Sequence, residues 1–158
     1  MFSKVKKEKE EIFDHLEISF SSIQVSFFVH ATEDASWLCD AVCAQLGISR
    51  EELEIQKLSG HFGNEVFSVR AHLTGKKANE ISRNIFERMD YSSRKKAAAE
   101  LSKSVDEHDA LYLRFDRQSL EMGLSLSDNE PIHVKLKPAN RRDRESILRA
   151  YSELLLRE

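Results

Sequence analysis

The chain has 158 residues, of which 41% are hydrophobic and 32% charged, and this length predicts a single domain with a substantial buried core. No apolar run approaches the ~18 residues that span a bilayer, and the charged start lacks the apolar core of a secretory signal. We therefore expect no membrane contact and a cytoplasmic location. The net charge of −3 argues against a uniformly basic nucleic-acid-binding surface. We divide the chain into a charged N-terminal extension, residues 1–16, and one α+β domain, residues 17–158.

The first predicted element is one long strand from Glu17 to His30, dense in β-branched and aromatic residues. Its alternation changes phase at Ser21-Ser22, which indicates a bulge or bend. A helix follows, with Thr32 as its predicted N-cap and Gly47 as its end. The residues predicted for the apolar side of this helix are Trp37, Leu38, Ala41, Val42 and Leu46.

Two strands, Leu53 to Leu58 and Val66 to Leu73, are predicted next, joined by a loop. A helix is predicted from about Lys76, and a second one after a cap at Ser92 or Ser93. The second helix carries its predicted buried residues at Ala97, Ala98, Leu101 and Val105.

The last third of the chain predicts two more strands, Ala110 to Phe115 and Ile132 to Leu136, the latter ended by Pro138. A terminal helix is predicted from Asn140 onward. Strands and helices in this order favour an α+β fold with a mixed, largely antiparallel sheet and helices packed on one side.

The loop Gly60-His61-Phe62-Gly63-Asn64 is the first candidate site. RNA-binding proteins stack unpaired bases on exposed aromatic and histidine side chains, and glycines let a nucleic-acid backbone approach closely. The alternative is a hairpin loop whose Phe62 packs back onto the sheet.

The middle of the chain is a second candidate, because residues 70–103 carry nine Lys and Arg against four Asp and Glu, a net +5. Two predicted helices begin with cations, which oppose the helix dipole unless an anion lies nearby. The phosphate-contacting candidates are Lys76, Lys77, Arg83, Arg94, Lys95 and Lys96. The alternative is that tertiary packing overrides a small electrostatic cost. A phosphate-binding loop is excluded, because Arg70 stands where glycine is required and Lys77 where serine or threonine is required.

Two polar strand faces form a third candidate. Arg70 and His72 alternate on one strand, and Tyr112 and Arg114 on another, an arrangement that suits single-stranded RNA. The alternative for the segment around Arg114 is an internal network of arginines and aspartates.

The sequence offers no pattern for a metal site or a catalytic site. Cys39 and Cys43 are best interpreted as buried free thiols, and the six histidines lack metal-ligand spacing. No nucleophile elbow or dinucleotide fingerprint is present. We therefore expect no cofactor, no metal and no enzymatic activity, although residues of a catalytic site can come together from distant positions.

Four motifs in order resemble a family of small archaeal proteins that are described as RNA-binding proteins or predicted exosome subunits. The motifs are Phe28-Val29-His30-Ala31-Thr32-Glu33-Asp34, Gly60-His61-Phe62-Gly63-Asn64, Gly75-Lys76-Lys77-Ala78 and Tyr112-Leu113-Arg114-Phe115-Asp116-Arg117-Gln118. The resemblance covers roughly residues 17–138. It implies a fold similar to the ribosomal large-subunit protein that binds five-S RNA, and an RNA-binding role linked to RNA processing or degradation.

The leading prediction is a non-enzymatic RNA-binding protein whose partners are RNA and an RNA-processing complex. Its candidate RNA-binding residues are Gly60, His61, Phe62, Gly63, Asn64, Arg70, Lys76, Lys77, Arg83, Arg94, Lys95, Lys96 and Arg114. The alternative is a protein-interaction module or homodimeric accessory subunit without direct RNA contact. In that case the apolar edge of the first strand, from Glu17 to His30, would form the interface.

Overall fold

The computed structural model describes residues 18–59 and 63–157. The predicted extension, residues 1–16, and the Gly60-His61-Phe62 part of the candidate loop lie outside the described residues. Within the described residues, five strands form one sheet: β1 (Phe20–His30), β2 (Glu54–Ser59), β3 (Glu65–Thr74), β4 (Leu111–Phe115) and β5 (Ile132–Pro138). Their order across the sheet is β2-β3-β1-β5-β4.

Every pair of neighbouring strands is antiparallel, and β1 lies at the centre between β3 and β5. The pairing of β1 with β5 shifts register between Phe20 and Ser22, which confirms the bulge predicted at this point. The prediction that the edge of the first strand forms an interface is wrong, because strands pair with β1 on both of its sides.

In the part of the chain that the structure describes, five helices pack against one side of this sheet: α1 (Ala35–Leu46), α2 (Gly75–Arg88), α3 (Tyr91–Ala99), α4 (Leu101–Ser104) and α5 (Arg144–Leu155). We call them the helical layer. Short 3-10 turns occur at Arg50–Glu52 and Leu120–Met122. Within the described residues, no helix is long and apolar enough to cross a membrane.

The core lies between the sheet and the helical layer. Along β1, Val25 and Phe27 are buried whereas Gln24 and Phe28 are exposed, so only one face of the sheet is covered. Phe20 stacks against Phe86 of α2 and Tyr151 of α5, with ring centroids 5.9 Å and 6.3 Å apart. Each large side chain buried in this way stabilises the fold by about 1.5–3 kcal/mol. The α+β architecture predicted from the sequence is confirmed.

The start of α1 differs from the prediction. Asp34, rather than Thr32, is the N-cap, and its carboxylate accepts a hydrogen bond from the Trp37 backbone N–H. The predicted burial of Trp37 is wrong, since 42% of this residue is exposed and its indole N–H donates to Glu121. Gly47 ends the helix in the left-handed conformation, φ 78°, as predicted.

The following helices also differ in detail. Asp90 caps α3 by accepting from the Ser93 N–H, where Ser92 or Ser93 was expected to be the cap. The helix predicted to run on to Val105 is interrupted at Glu100, so that α3 and α4 are separate elements. Asp90 is as good an N-cap as serine, and its carboxylate accepts from both the N–H and the hydroxyl of Ser93, so the helix begins earlier than predicted.

Candidate nucleic-acid interface

The uncovered side of the sheet, which we call the open face, carries the polar residues that alternate with the core residues along each strand. Directly opposite residues on antiparallel strands point to the same face, so the register defines rows that cross the sheet. One row consists of Glu54, Arg70, Ser26, His133 and Arg114. The next row consists of His72, Gln24, Lys135 and Tyr112. Lys137 lies opposite Ser22, beyond the second row.

The cations of the open face keep their charge directed to solvent. The side chains of Arg70 and Lys137 are exposed and make no hydrogen bond or ion pair with any residue that the structure describes. Lys135 Nζ lies 5.5 Å from the centroid of the Tyr112 ring. Arg114 has a carboxylate near it, Asp128, at 3.5 Å, and the side chains of this pair are 58% and 81% exposed. Such an exposed pair is worth little, so an anionic ligand competes with it easily.

Two aromatic side chains project from the open face: Phe28 of β1 is 50% exposed and Tyr112 of β4 is 41% exposed. The Tyr112 hydroxyl donates to Asp106 Oδ2 at 3.0 Å, which fixes the position of the ring. Burial raises the pKa of Asp106, but the N–H groups of Ala110 and His108 and the Tyr112 hydroxyl outweigh this, and the pKa lies below its usual range. Asp106 is therefore a stable anchor for Tyr112.

His133 lies in the middle of this cationic surface. Partial burial lowers its pKa, and the charges of Arg114 and Arg117 lower it further. The imidazole of His133 is therefore neutral at pH 7 and gains a proton only in mild acid or beside an added negative charge.

One end of the open face is held by the buried residue Arg117. Its guanidinium donates to the Phe28 carbonyl at 2.8 Å and to Glu33 at 2.8 Å and 3.0 Å. Glu33 also accepts from the His30 N–H at 3.1 Å. Burial raises the pKa of Glu33, but these hydrogen bonds and the Arg117 charge outweigh burial and lower it. The internal network of arginines and aspartates considered for this segment is not what forms: buried Arg117 pairs with Glu33 of the first motif, and the Arg114–Asp128 pair is exposed.

The structure places most of the predicted phosphate contacts on the helical layer. Lys76 and Lys77 are exposed at the start of α2, and Lys77 forms an ion pair with Glu52. Arg83 lies on the exposed side of α2. Arg94 donates to the Leu155 carbonyl at the end of α5.

The remaining candidates divide between the two sides. Lys95 of α3 lies over the ring of Tyr91, whereas Lys96 lines a groove that also contains Arg114. Arg70 and Arg114 share one row of the open face. Three strand spacings of ~4.8 Å separate their backbones, a distance of about 14 Å.

Gly63 and Asn64, the described part of the candidate loop, do not come together with the lysine pair. Gly63 and Asn64 precede β3, and Lys76 follows it, so the ten residues of β3 separate them. At ~3.3 Å per residue this distance is about 30 Å. A ligand that contacts both groups must therefore extend along the whole strand.

Sequence analysis missed four residues of the open face: Phe28, His133, Lys135 and Lys137. The sequence pattern could have identified three of them, because His133, Lys135 and Lys137 alternate with buried Val134 and Leu136 and so lie on the other face of β5. The same period of two identified Arg70 and His72 on β3.

Metal-ligating chemistry is not assembled in the part of the chain that the structure describes. Residues 18–59 and 63–157 contain no group of three or more His, Cys, Asp or Glu side chains that could hold a metal ion. Burial raises the pKa of Cys39 and Cys43, so both thiols are poor nucleophiles and poor ligands at neutral pH.

Comparison with known proteins agrees with a nucleic-acid role. A family model with the description RNA binding matches residues 22–138. The chain belongs to this family. It is 28% identical over 142 residues to the RNA-binding protein PAB1135 of Pyrococcus abyssi, covering 85% of this chain and 92% of that protein.

Solved structures of archaeal proteins share the fold. Protein AF2318 of Archaeglobus fulgidus, of the DUF54 family, superimposes with a TM-score of 0.71 at 26% identity, covering 85% of this chain and 99% of that one. The DUF54 protein Mth689 of Methanothermobacter thermautotrophicus gives a TM-score of 0.70 at 23% identity, covering 87% and 98%. The likeness to the ribosomal protein implied by the resemblance stays a prediction.

Proposed function

We propose that the protein is a non-enzymatic RNA-binding protein that holds RNA on the open face of its sheet. One observation carries this proposal: within the described residues, four cations, three of them exposed and Lys135 half-buried, share that face with His72, His133 and two exposed aromatic rings. These cations are Arg70, Arg114, Lys135 and Lys137. Membership of the RNA-binding family and the likeness to the RNA-binding protein of Pyrococcus abyssi support it.

The physical basis is the exchange of condensed counterions for protein cations along the RNA backbone. The acidic overall charge does not oppose this, because solvent ions screen charges more than about 8–10 Å away. An uncovered antiparallel sheet with aromatic side chains is also one of the surfaces on which proteins stack unpaired bases.

The test compares two triple variants of equal net charge. The open-face triple changes Arg70, Lys135 and Lys137 to Gln, and the helical-layer triple changes Lys76, Lys77 and Lys95 to Gln. RNA affinity is measured from 50 to 500 mM salt. Three lost phosphate contacts should reduce the salt slope by about 2, at ~0.7 per contact, and reduce affinity on the order of a hundredfold at 0.1 M salt.

The helical-layer triple is the matched control, and it should leave the slope within experimental error of wild type. A flattened slope in that triple alone would move the site to the predicted Lys76-Lys77 pair. Absence of RNA binding by the wild-type protein at low salt would contradict the function itself.

We also propose that the RNA bound belongs to a processing or degradation pathway, as the family resemblance implies. An RNA-processing complex, such as an exosome, would then be a partner of the protein. Affinity purification from a native extract, before and after ribonuclease treatment, tests this link. Recovery of no RNA-processing enzyme under either condition would contradict it.

A second candidate function is a protein-interaction module or homodimer. The observation that favours it is strand β2, which ends the sheet and leaves Ile55 51% exposed. Unpaired strand edges pair readily with another chain. Sedimentation across a concentration series should detect a dimer if β2 pairs with a second copy, and a Ile55→Lys variant should weaken it.

A further inference from the structure

A groove of about 500 Å³ lies at the β4 edge of the open face. Tyr112 and Arg114 of β4 form one wall, so the groove and the open face are continuous. Lys96 and Lys103 of the helical layer also line the groove. This volume falls within the 300–1,000 Å³ that is common for small-ligand sites.

The charges of the groove differ from those of the open face. Three cations, Lys96, Lys103 and Arg114, lie beside three carboxylates, and the carboxylates are Glu100, Asp106 and Asp128. A phosphate gains little in such a balanced environment, because the carboxylates repel it. The polar edge of a nucleobase presents both donors and acceptors, and it can use both signs of charge.

Tyr112 is suited to stacking a base at the entrance of the groove. Its hydroxyl is held by Asp106, and Asp106 is itself held by the N–H groups of His108 and Ala110 at 2.9 Å. Lys135 lies over the ring and interacts with its π-face. The ring is therefore already fixed before a ligand arrives, which reduces the entropy lost on binding.

We propose that the groove binds one unpaired base of single-stranded RNA, stacked on Tyr112, while the phosphates lie on the open face. This inference rests on the proposed function and names its substrate class. A duplex cannot place a base in the groove, because its bases are already stacked and paired.

The experiment uses three RNA probes of equal length: an unpaired oligonucleotide, the same backbone without bases, and a blunt duplex. Wild-type protein should bind the unpaired strand about 5- to 150-fold more tightly than the baseless strand, the range that one stacked base supplies. A Tyr112→Ala variant should lose this preference and bind the baseless strand as wild type does. Its salt slope should not change, since no phosphate contact is removed.

Tyr91→Ala is the matched control, because Tyr91 is also an exposed tyrosine beneath a lysine but lies on the helical layer. It should keep the preference for bases. A Tyr112→Phe variant, which keeps the ring, should retain most of the preference.

Each unfavourable outcome identifies which proposal fails. Equal affinity for the unpaired and baseless strands, with a normal salt slope, would contradict base binding in the groove but not phosphate binding on the open face. Tighter binding of the duplex than of the unpaired strand would also contradict base binding in the groove. No binding of any probe overturns the proposed function, and unfolding of each variant by heat shows whether a loss comes from misfolding.

Discussion

The open face and the helical layer both carry many cations, but they use them differently. In the helical layer, Arg94 donates to carbonyls at the end of α5, Arg88 donates to the Ala44 carbonyl and Lys77 pairs with Glu52. On the open face, the side chains of Arg70 and Lys137 make no hydrogen bond or ion pair within the described residues. Cations that already have protein partners stabilise the fold, whereas cations without them are available to a ligand.

This difference means that local charge counts are a poor guide to the site. The net +5 of residues 70–103 contains cations of both kinds. The open face gathers Arg70, Arg114 and Lys135 from three different strands. The comparison predicts that removing a partnered cation lowers stability, and that removing one from the open face lowers RNA affinity.

The largest effect on stability is expected for Arg117, the buried cation beneath the open face. Arg117→Ala leaves Glu33 partly buried without its partner and removes the donor to the Phe28 carbonyl. Breaking a buried ion pair costs about 3–5 kcal/mol, and we expect the lower end because part of Glu33 is exposed. Urea unfolding measures this change in the free energy of unfolding.

Arg70→Ala is the control for this prediction, since it removes an arginine from the same side of the sheet. Its effect on the free energy of unfolding should stay within about 0.5 kcal/mol. Similar losses in the two variants would contradict the distinction between partnered and available cations.

The fold was more predictable than the site because strand alternation is a local property. The period of two located four of the five described strands, all but β2, and the phase change at Ser21-Ser22 located the bulge. The strand order could not be predicted, since pairing β1 with β3 and β5 depends on contacts between distant residues. The predicted N-cap at Thr32 was wrong because the local sequence offers two acceptors, and Asp34, two residues later, caps the helix.

The candidate site was only partly predictable, because the chain crosses between layers at Thr74 and Gly75. Arg70 lies on the open face, whereas Lys76, six residues later, lies on the helical layer. Gly75 has φ +66°, a conformation that favours glycine and changes the direction of the chain at this point. The net charge of residues 70–103 groups together cations that this turn places on different layers. It also leaves out Lys135 and Lys137, which lie on a strand far along the chain.

A smaller loss of stability is expected for Arg94, which joins α3 to the end of α5. Arg94→Ala removes hydrogen bonds to the carbonyls of Leu155 and Arg157. Charged hydrogen bonds of this kind contribute about 1.5–3 kcal/mol, and we expect a loss of about 2 kcal/mol in the free energy of unfolding. RNA affinity should not change if the open face is the site.

Lys95→Ala provides the comparison, because Lys95 is the next residue and lies over the same Tyr91 ring. Its exposed charge should contribute less than about 0.5 kcal/mol to folding. If Arg94→Ala weakens RNA binding without loss of stability, Arg94 belongs to the ligand site rather than to the group of partnered cations.

The smallest effect is the pH dependence that His133 gives to the open face. Its lowered pKa means that the unfolded chain binds protons more readily, so stability from this group falls as pH drops through the unfolded pKa of about 6.5. Bound RNA has the opposite effect, because phosphates favour the protonated imidazole. RNA affinity should therefore rise, up to about fivefold, between pH 7 and pH 5.5, since protonation adds one contact.

The measurement uses a His72→Gln background, so that one of the two histidines in the rows of the open face is removed and His133 remains. In this background, His133→Gln should abolish the rise in affinity and reduce the loss of stability in acid. Arg114 of β4 lies directly opposite His133 of β5, and its charge opposes protonation of the imidazole. An Arg114→Gln variant should therefore move the rise in affinity to higher pH, whereas an unchanged midpoint would show that the Arg114 charge does not control the protonation of His133.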